Sequence, residues 1–318
     1  MSQYANAIMN WGVFSTFLLG CLILDTAHGQ SANGFEFGNA SIPVQQILGG
    51  GPPRDGIPAI DNPTFQFAES ATWLEPEDRI LGVFLNGVSR AYPIAILNWH
   101  EVVNDTIDGR PIVVSYCPLC GTGIAFDARV EGRDLGFGVS GLLYQSDVLL
   151  YDRQTESLWS QIMGEAISGP QRGQKLISLP LAHTSWADWQ QLHPNTEVLS
   201  RDAGLRRDYS IDPYAGYADS PRTMFPVVNQ APGPWHAKEW VLGVGINGEY
   251  KAYPFAELRA QGVTRFNDEL AGERFDIVWD EKNRSASMQR SGEIQPSITA
   301  FWFAWYAFHP ETKIFRAR

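Results

Sequence analysis

No apolar run in this chain is long enough to cross a bilayer comfortably. The strongest one, Trp11–Leu24, carries no charge but stops after 14 residues. Charge is sparse too, at 19% of residues against about a quarter in ordinary domains. With 44% apolar residues beside it, that balance excludes a disordered chain and supplies packed cores. Basic residues are the minority, 24 Lys and Arg against 35 Asp and Glu. The net charge of -11 makes nucleic acid or an anionic membrane surface a poor partner. No G-x-S-x-G elbow and no phosphate-binding glycine loop occurs; Gly138-Val139-Ser140-Gly141 lacks the elbow spacing. Cysteine is scarce, with three in 318 residues.

One of the three, Cys21, lies in the apolar run. That run is followed by Ala27-His28-Gly29, a small-x-small site, so residues 1–29 read as a secretory signal peptide, although no Lys or Arg precedes it. The expected location is periplasmic or extracellular, where disulfides are permitted and metals are scavenged. Leu18-Leu19-Gly20-Cys21 resembles a lipobox, and lipidation at Cys21 is the alternative.

Two cysteines remain, in Ser115-Tyr116-Cys117-Pro118-Leu119-Cys120-Gly121, at the end of the apolar run Pro111–Val114. A thiol pair at this spacing can chelate a soft metal ion, cycle as a redox disulfide, or form a static bridge. The residues beyond the pair, Gly121-Thr122-Gly123-Ile124-Ala125-Phe126, read as turn and strand. Thioredoxin-type sites instead place the pair at a helix N-terminus, which lowers the thiol pKa.

Around this motif the chain reads as mainly β (α+β). Residues 30–79 are an arm rich in Gly and Pro. Asn86-Gly87 between Ile80–Leu85 and Ser89–Tyr92 signals a hairpin, and Pro93 opens a short helix over 94–103. Asp108-Gly109 and Glu131-Gly132 mark further turns, with short strands expected over 123–130, 134–139, 148–151 and 156–161.

The chain also repeats itself. Ile80-Leu81-Gly82-Val83 returns as Val241-Leu242-Gly243-Val244, and Asn86-Gly87 as Asn247-Gly248. Ala91-Tyr92-Pro93 returns as Ala252-Tyr253-Pro254, and Asn104-Asp105 as Asn267-Asp268. Trp186-x-x-Trp189-x-x-x-His193-Pro194 returns as Trp302-x-x-Trp305-x-x-x-His309-Pro310. This predicts a two-lobed protein: repeat one over 80–200, a linker over 201–222, and a shorter, truncated repeat two over 223–318. The stretch missing from the second copy corresponds roughly to residues 135–180.

The repeat separates fold from chemistry. His193 and His309 occur in both copies and read as structural. Copy one has Asn98-Trp99-His100 where copy two has Arg259-Ala260-Gln261, and Cys117 and Cys120 where copy two has Asp280 and Asn283. His100 and both thiols are therefore lost together, as members of one site would be.

Several stretches carry a family resemblance: Asp55-Gly56-Ile57-Pro58-Ala59-Ile60, Leu97-Asn98-Trp99-His100-Glu101, Tyr116–Gly121, Phe137-Gly138-Val139-Ser140-Gly141, Tyr151–Thr155 and Trp159-Ser160-Gln161. Together they resemble the bacterial and archaeal family known as domain of unknown function 3179, over about residues 45–318. That resemblance implies export and a repeat architecture, and assigns no reaction.

The site expected is Cys117, Cys120 and His100 around a copper or zinc ion, with Glu101, Tyr116 and Asp147 as surrounding partners. Met163, His183, Met224 and His236 are candidates for a fourth ligand. Asp147, Asp152 and Arg153 otherwise read as a salt-bridged surface. A zinc deaminase is excluded, because His100 and Glu101 are adjacent and Tyr116, not Pro, precedes Cys117. The function expected is an exported metal-binding carrier or redox metalloprotein. A thiol oxidoreductase using Cys117 and Cys120 is one alternative, and a β-rich binding module with a structural disulfide is the other. A metal ion or small molecule is the expected partner, with no transmembrane helix in the mature chain.

Overall fold

A computed structural model describes residues 31–202 and 207–317; residues 1–29, expected to be a signal peptide, and Cys21 within them lie outside the described residues. Two-residue turns set the architecture. Asn86-Gly87, Asp108-Gly109, Glu131-Gly132 and Asn247-Gly248 each place two consecutive residues at positive φ. That twist joins antiparallel strands tightly, and Asn-Gly adopts it at little cost. Leu85 accordingly faces Val88, and Ile246 faces Glu249. The helix after Pro93 is shorter than 94–103. It runs Ile94–His100, Glu101 caps it in the left-handed region at φ 57, and strand Val102–Ile107 begins at once.

The described residues form five sheets of four or five strands, with two small two-stranded ribbons. In each copy, a hairpin sheet comes first. Copy one pairs Arg79–Leu85 with Val88–Pro93, flanked by Ala182–Ser185 antiparallel and Glu197–Leu199 parallel. Copy two repeats this with Trp240–Ile246, Glu249–Pro254, Ile298–Phe301 and Lys313–Ile314. A meander sheet comes next. Copy one has Val102–Ile107, Arg110–Cys117, Thr122–Asp127 and Ile177–Leu179. Copy two has Arg265–Leu270, Glu273–Asp280, Ser285–Arg290 and Glu293–Ile294.

The fifth sheet belongs to copy one alone. Phe137–Tyr144, Asp147–Asp152, Leu158–Ser160 and Glu165–Ser168 form it, joined at its edge by Ile47–Gly49 from the arm. The arrangement resembles a five-bladed propeller rather than two lobes with a truncated copy. Copy two is not cut short. It keeps both of its sheets and lacks only the inserted one, because the missing stretch folds as a sheet of its own.

The copies also interlock, which two lobes would not. Strand Ile298–Phe301 of copy two packs on Thr122–Asp127 of copy one, and Ala182–Ser185 of copy one packs on Ser285–Arg290 of copy two. The amide of Phe301 donates to the Cys120 carbonyl at 2.8 Å; in the related position Ser185 Oγ donates to Asn283 Oδ1 at 2.6 Å. Asn283 thus occupies the place of Cys120. It closes a turn on Asp280, whose carboxylate accepts from the Asn283 amide (3.0 Å) and from Nδ2 (2.7 Å).

Shared residues do serve the fold. Trp189 and Trp305 are fully buried, and their indoles donate to Thr196 and Thr312 at 2.9 and 3.0 Å. Each ring lies flat against a glycine, Gly82 or Gly243, where a Cβ would overlap it. His193 and His309 cap the two tryptophan helices and pack on those same indoles. Gly243→Ala is therefore expected to cost about 1–3 kcal/mol through overpacking. Thermal unfolding should show a midpoint several degrees lower; an unmoved midpoint would mean that the indole is free to shift.

Candidate metal centre

Strands Arg110–Cys117 and Thr122–Asp127 pair so that Cys117 faces Thr122, and the four residues between form the turn that carries Cys120. Gly121 sits at φ +65 with the Trp240 ring where a Cβ would lie, so only glycine fits there. Both cysteines are free thiols and fully buried. A hairpin tip of the inserted sheet comes down on them. Gln145 and Ser146 form that tip, both at positive φ (52 and 68) without being glycine, and both buried. Backbone held in this way costs free energy and marks places where geometry is imposed. The Ser146 carbonyl accepts from Cys120 Sγ at 3.2 Å, with Cys117 Sγ at 4.0 Å.

Asp147 comes directly after this tip and completes the cluster. One ligand atom each from Cys117, Cys120 and Asp147 lies within 4.8 Å of the other two, and this is the one such group of three among the described residues. The Ile162 amide donates to Asp147 Oδ2 at 3.1 Å. Behind it, Thr122 Oγ1 donates to Gln161 Oε1 at 2.6 Å, and Gln161 Nε2 to Ser115 Oγ at 2.9 Å. The Thr122 hydroxyl, 3.4 Å from Asp147 Oδ1, is thereby held in place by Gln161.

Burial governs the electrostatics. It pushes Asp147 up to about 7. It pushes Glu101 up to about 8, with the Asp147 charge adding to the shift. Both thiols rise as well, mainly by burial, Cys120 further through Cys117 and Asp147. Neither carboxyl takes part in an ion pair among the described residues, and the Glu101 carboxyl accepts no hydrogen bond there. Four acidic groups thus sit in one dry region without a basic partner. That arrangement favours either bound protons or a bound cation.

His100 does not join them. It is fully buried, and its Nδ1 donates to the Pro58 carbonyl at 2.8 Å. A carbonyl only accepts, so the proton is on Nδ1. Nε2 must then accept from the Tyr209 hydroxyl, 2.8 Å away. Both nitrogens are engaged, and the group that could hold a metal ion contains Cys117, Cys120 and Asp147 but not the expected His100. The fourth-ligand candidates also stay outside the cluster. Met163 and Met224 are exposed, His236 Nδ1 accepts from the Lys238 amide at 3.1 Å, and His183 is buried edge-on to the Tyr116 and Trp240 rings.

Asp147 and Asp152 are not surface residues. Both are buried, and Asp152 holds a turn by accepting from Thr155 and the Trp159 indole. Arg153 does pair at the surface, with Asp61 at 3.1 Å. Asp147, Ser146 and Gln161 all lie in the stretch of roughly residues 135–180 that copy two lacks. Comparing copies ranks only positions that both copies possess, so the insertion itself was the signal that could have found them.

A buried dithiol with one carboxyl, set where an inserted sheet meets a repeated β framework, defines a mainly β protein with a site able to hold a metal ion. The family described as protein of unknown function, DUF3179, matches residues 54–295, and the chain belongs to it. No curated protein and no solved structure matches the chain. No helix among the described residues is long and apolar enough to cross a membrane.

Proposed function

We propose that this chain is an exported metal-binding protein whose ion is zinc, held by Cys117, Cys120 and Asp147. The observation that carries this reading is the convergence of two thiols and a carboxyl within 4.8 Å in a dry site with no basic counter-charge. Thiolates select soft or borderline ions, and a carboxylate in the same set favours zinc, which accepts both donor types, over copper(I). Three protein donors leave a fourth position open, as in sites whose ion exchanges a ligand rather than only bracing the fold. The leader-like residues 1–29 support export.

The thiol-oxidoreductase alternative has less support. A redox thiol is exposed and of lowered pKa, whereas both of these are buried and pushed up. Metal analysis of the protein purified from the periplasm tests the reading. One zinc per chain is the expected result. Copper in its place would change the ion, and a metal-free protein with a reducible Cys117–Cys120 bridge would return the site to redox chemistry.

A further inference from the structure

Segment 208–222 contains no helix or strand, and most of its residues are exposed, Ile211 at 56%. Three tyrosines turn inward from it. Tyr209 is buried, while Tyr214 and Tyr217 pack against the core cluster that contains Cys117 and Cys120. Both of the latter phenols are pushed up by burial, with thiol charge contributing to each.

Tethers hold the segment on both sides. On one side is the end of the helix Ile94–His100. Asn98 Nδ2 donates to Asp212 Oδ1 at 2.9 Å, Trp99 Nε1 to the Ile211 carbonyl at 3.0 Å, and His100 Nε2 accepts from Tyr209 at 2.8 Å. On the other is Lys238. Its ammonium donates to the carbonyls of Tyr217, Ser220 and Arg222 at 2.7, 2.8 and 2.8 Å, and lies 3.5 Å from the Tyr217 ring centre. Between helix and segment a cavity of about 360 Å³ is left unfilled, lined by Asn98, Tyr209, Ile211 and Asp212 with Arg79 and Trp73.

The three helix residues Asn98-Trp99-His100, where copy two has Arg259-Ala260-Gln261, make the tethers on the first side. In copy two Arg259 turns instead to Glu281, at 3.0 Å. The joint loss of the helix motif and the thiols is then explained without making His100 a ligand. A site needs its cover, and a copy without the site has no use for one.

We propose that Asn98, Trp99 and His100 are positioning residues that clasp segment 208–222 over the dithiol–carboxyl site and set how fast ions and reagents reach it. The ion-exchange part rests on the zinc reading; the thiol-access part does not. A clasp built from a few hydrogen bonds and mostly exposed backbone is a segment that opens locally, far below the cost of global unfolding.

The test uses the full chain with Cys21→Ser, so that only the buried pair reports. Tyr209→Phe removes one hydroxyl, and Asn98→Ala with Trp99→Phe removes the other two bonds. Two rates are read: zinc transfer from loaded protein to a chromophoric chelator, and labelling of metal-free thiols by an aromatic disulfide. Each lost bond should raise both rates about fivefold to tenfold, the size of one net hydrogen bond. Arg259→Ala, on the matching helix of copy two, should leave them unchanged, and circular dichroism should show the same fold throughout. Labelling and transfer at wild-type rates in the clasp variants would overturn the proposal. Faster labelling in a protein that binds no zinc keeps the clasp and removes the metal; zinc bound with unmoved rates does the reverse.

Discussion

If zinc is held as proposed, Cys117→Ser and Asp147→Asn should each lower its affinity by about a hundredfold or more, since each removes one of three candidate donors that lie within 4.8 Å of one another. Serine is a weak zinc donor at neutral pH. Asparagine keeps the size of Asp147 and its bond from the Ile162 amide, while taking away the charge. Competition with a chelator of known affinity measures the loss. Thermal unfolding offers an independent check, because a ligand at about a hundred times its Kd stabilises by about 2.7 kcal/mol. Zinc should therefore raise the wild-type midpoint and leave the variants' midpoints near their metal-free values. Equal affinity in Asp147→Asn would remove the carboxyl from the ligand set and reopen the search for a third donor.

Metal-free protein should lose stability as pH rises from about 7 to about 8, above the range in which the histidines whose pKa values are lowered mainly by burial add stability with rising pH by staying neutral. Asp147 and Glu101 hold their protons in the folded state up to about 7 and about 8, whereas their ordinary values are 3.8 and 4.5. Across that window the unfolded chain has released protons that the folded chain still binds, so the carboxyls favour the folded state at its lower end. The advantage fades as pH climbs towards the folded values. The loss should amount to about 1 kcal/mol over that pH unit, shared between the two carboxyls because their charges oppose each other. Saturating zinc should flatten or reverse the slope, since it binds the ionised ligands and displaces their protons. Urea midpoints at the two pH limits, with and without zinc, decide the matter. Metal-free protein that grows more stable over this range would show that the carboxyls ionise freely in the folded state. Glu101→Gln should weaken the slope while leaving the three donors in place.

His100 shows how a sound inference from residues can reach the wrong role. Its loss with the thiols did signal a shared purpose, and imidazole is the commonest metal ligand. What the residue types could not reveal is that Pro58 and Tyr209 already occupy both ring nitrogens. Those partners lie 42 and 109 residues away in the chain. Glu101 is a similar case. The helix ends one residue before it, and Glu101, the left-handed cap, is buried beside the site.

The sequence by itself determined what depends on near neighbours. Asn-Gly pairs choose positive φ wherever they stand, so the hairpins were readable from them. Paired tryptophans and glycines recur because each indole needs a flat, Cβ-free surface, so the repeat and its structural histidines were readable as well. The thiol pair was visible as a chemical motif. Tertiary structure alone decided which carboxyl lies beside the thiols, what His100 bonds to and the number of sheets. A ligand set is chosen by which strands come to lie together, and the inserted sheet brings residue 147 onto residues 117 and 120 from a stretch with no counterpart in the second copy. Burial, which holds the carboxyls' protons and makes the site ready for a cation, likewise belongs to the packed molecule and to no single stretch of chain.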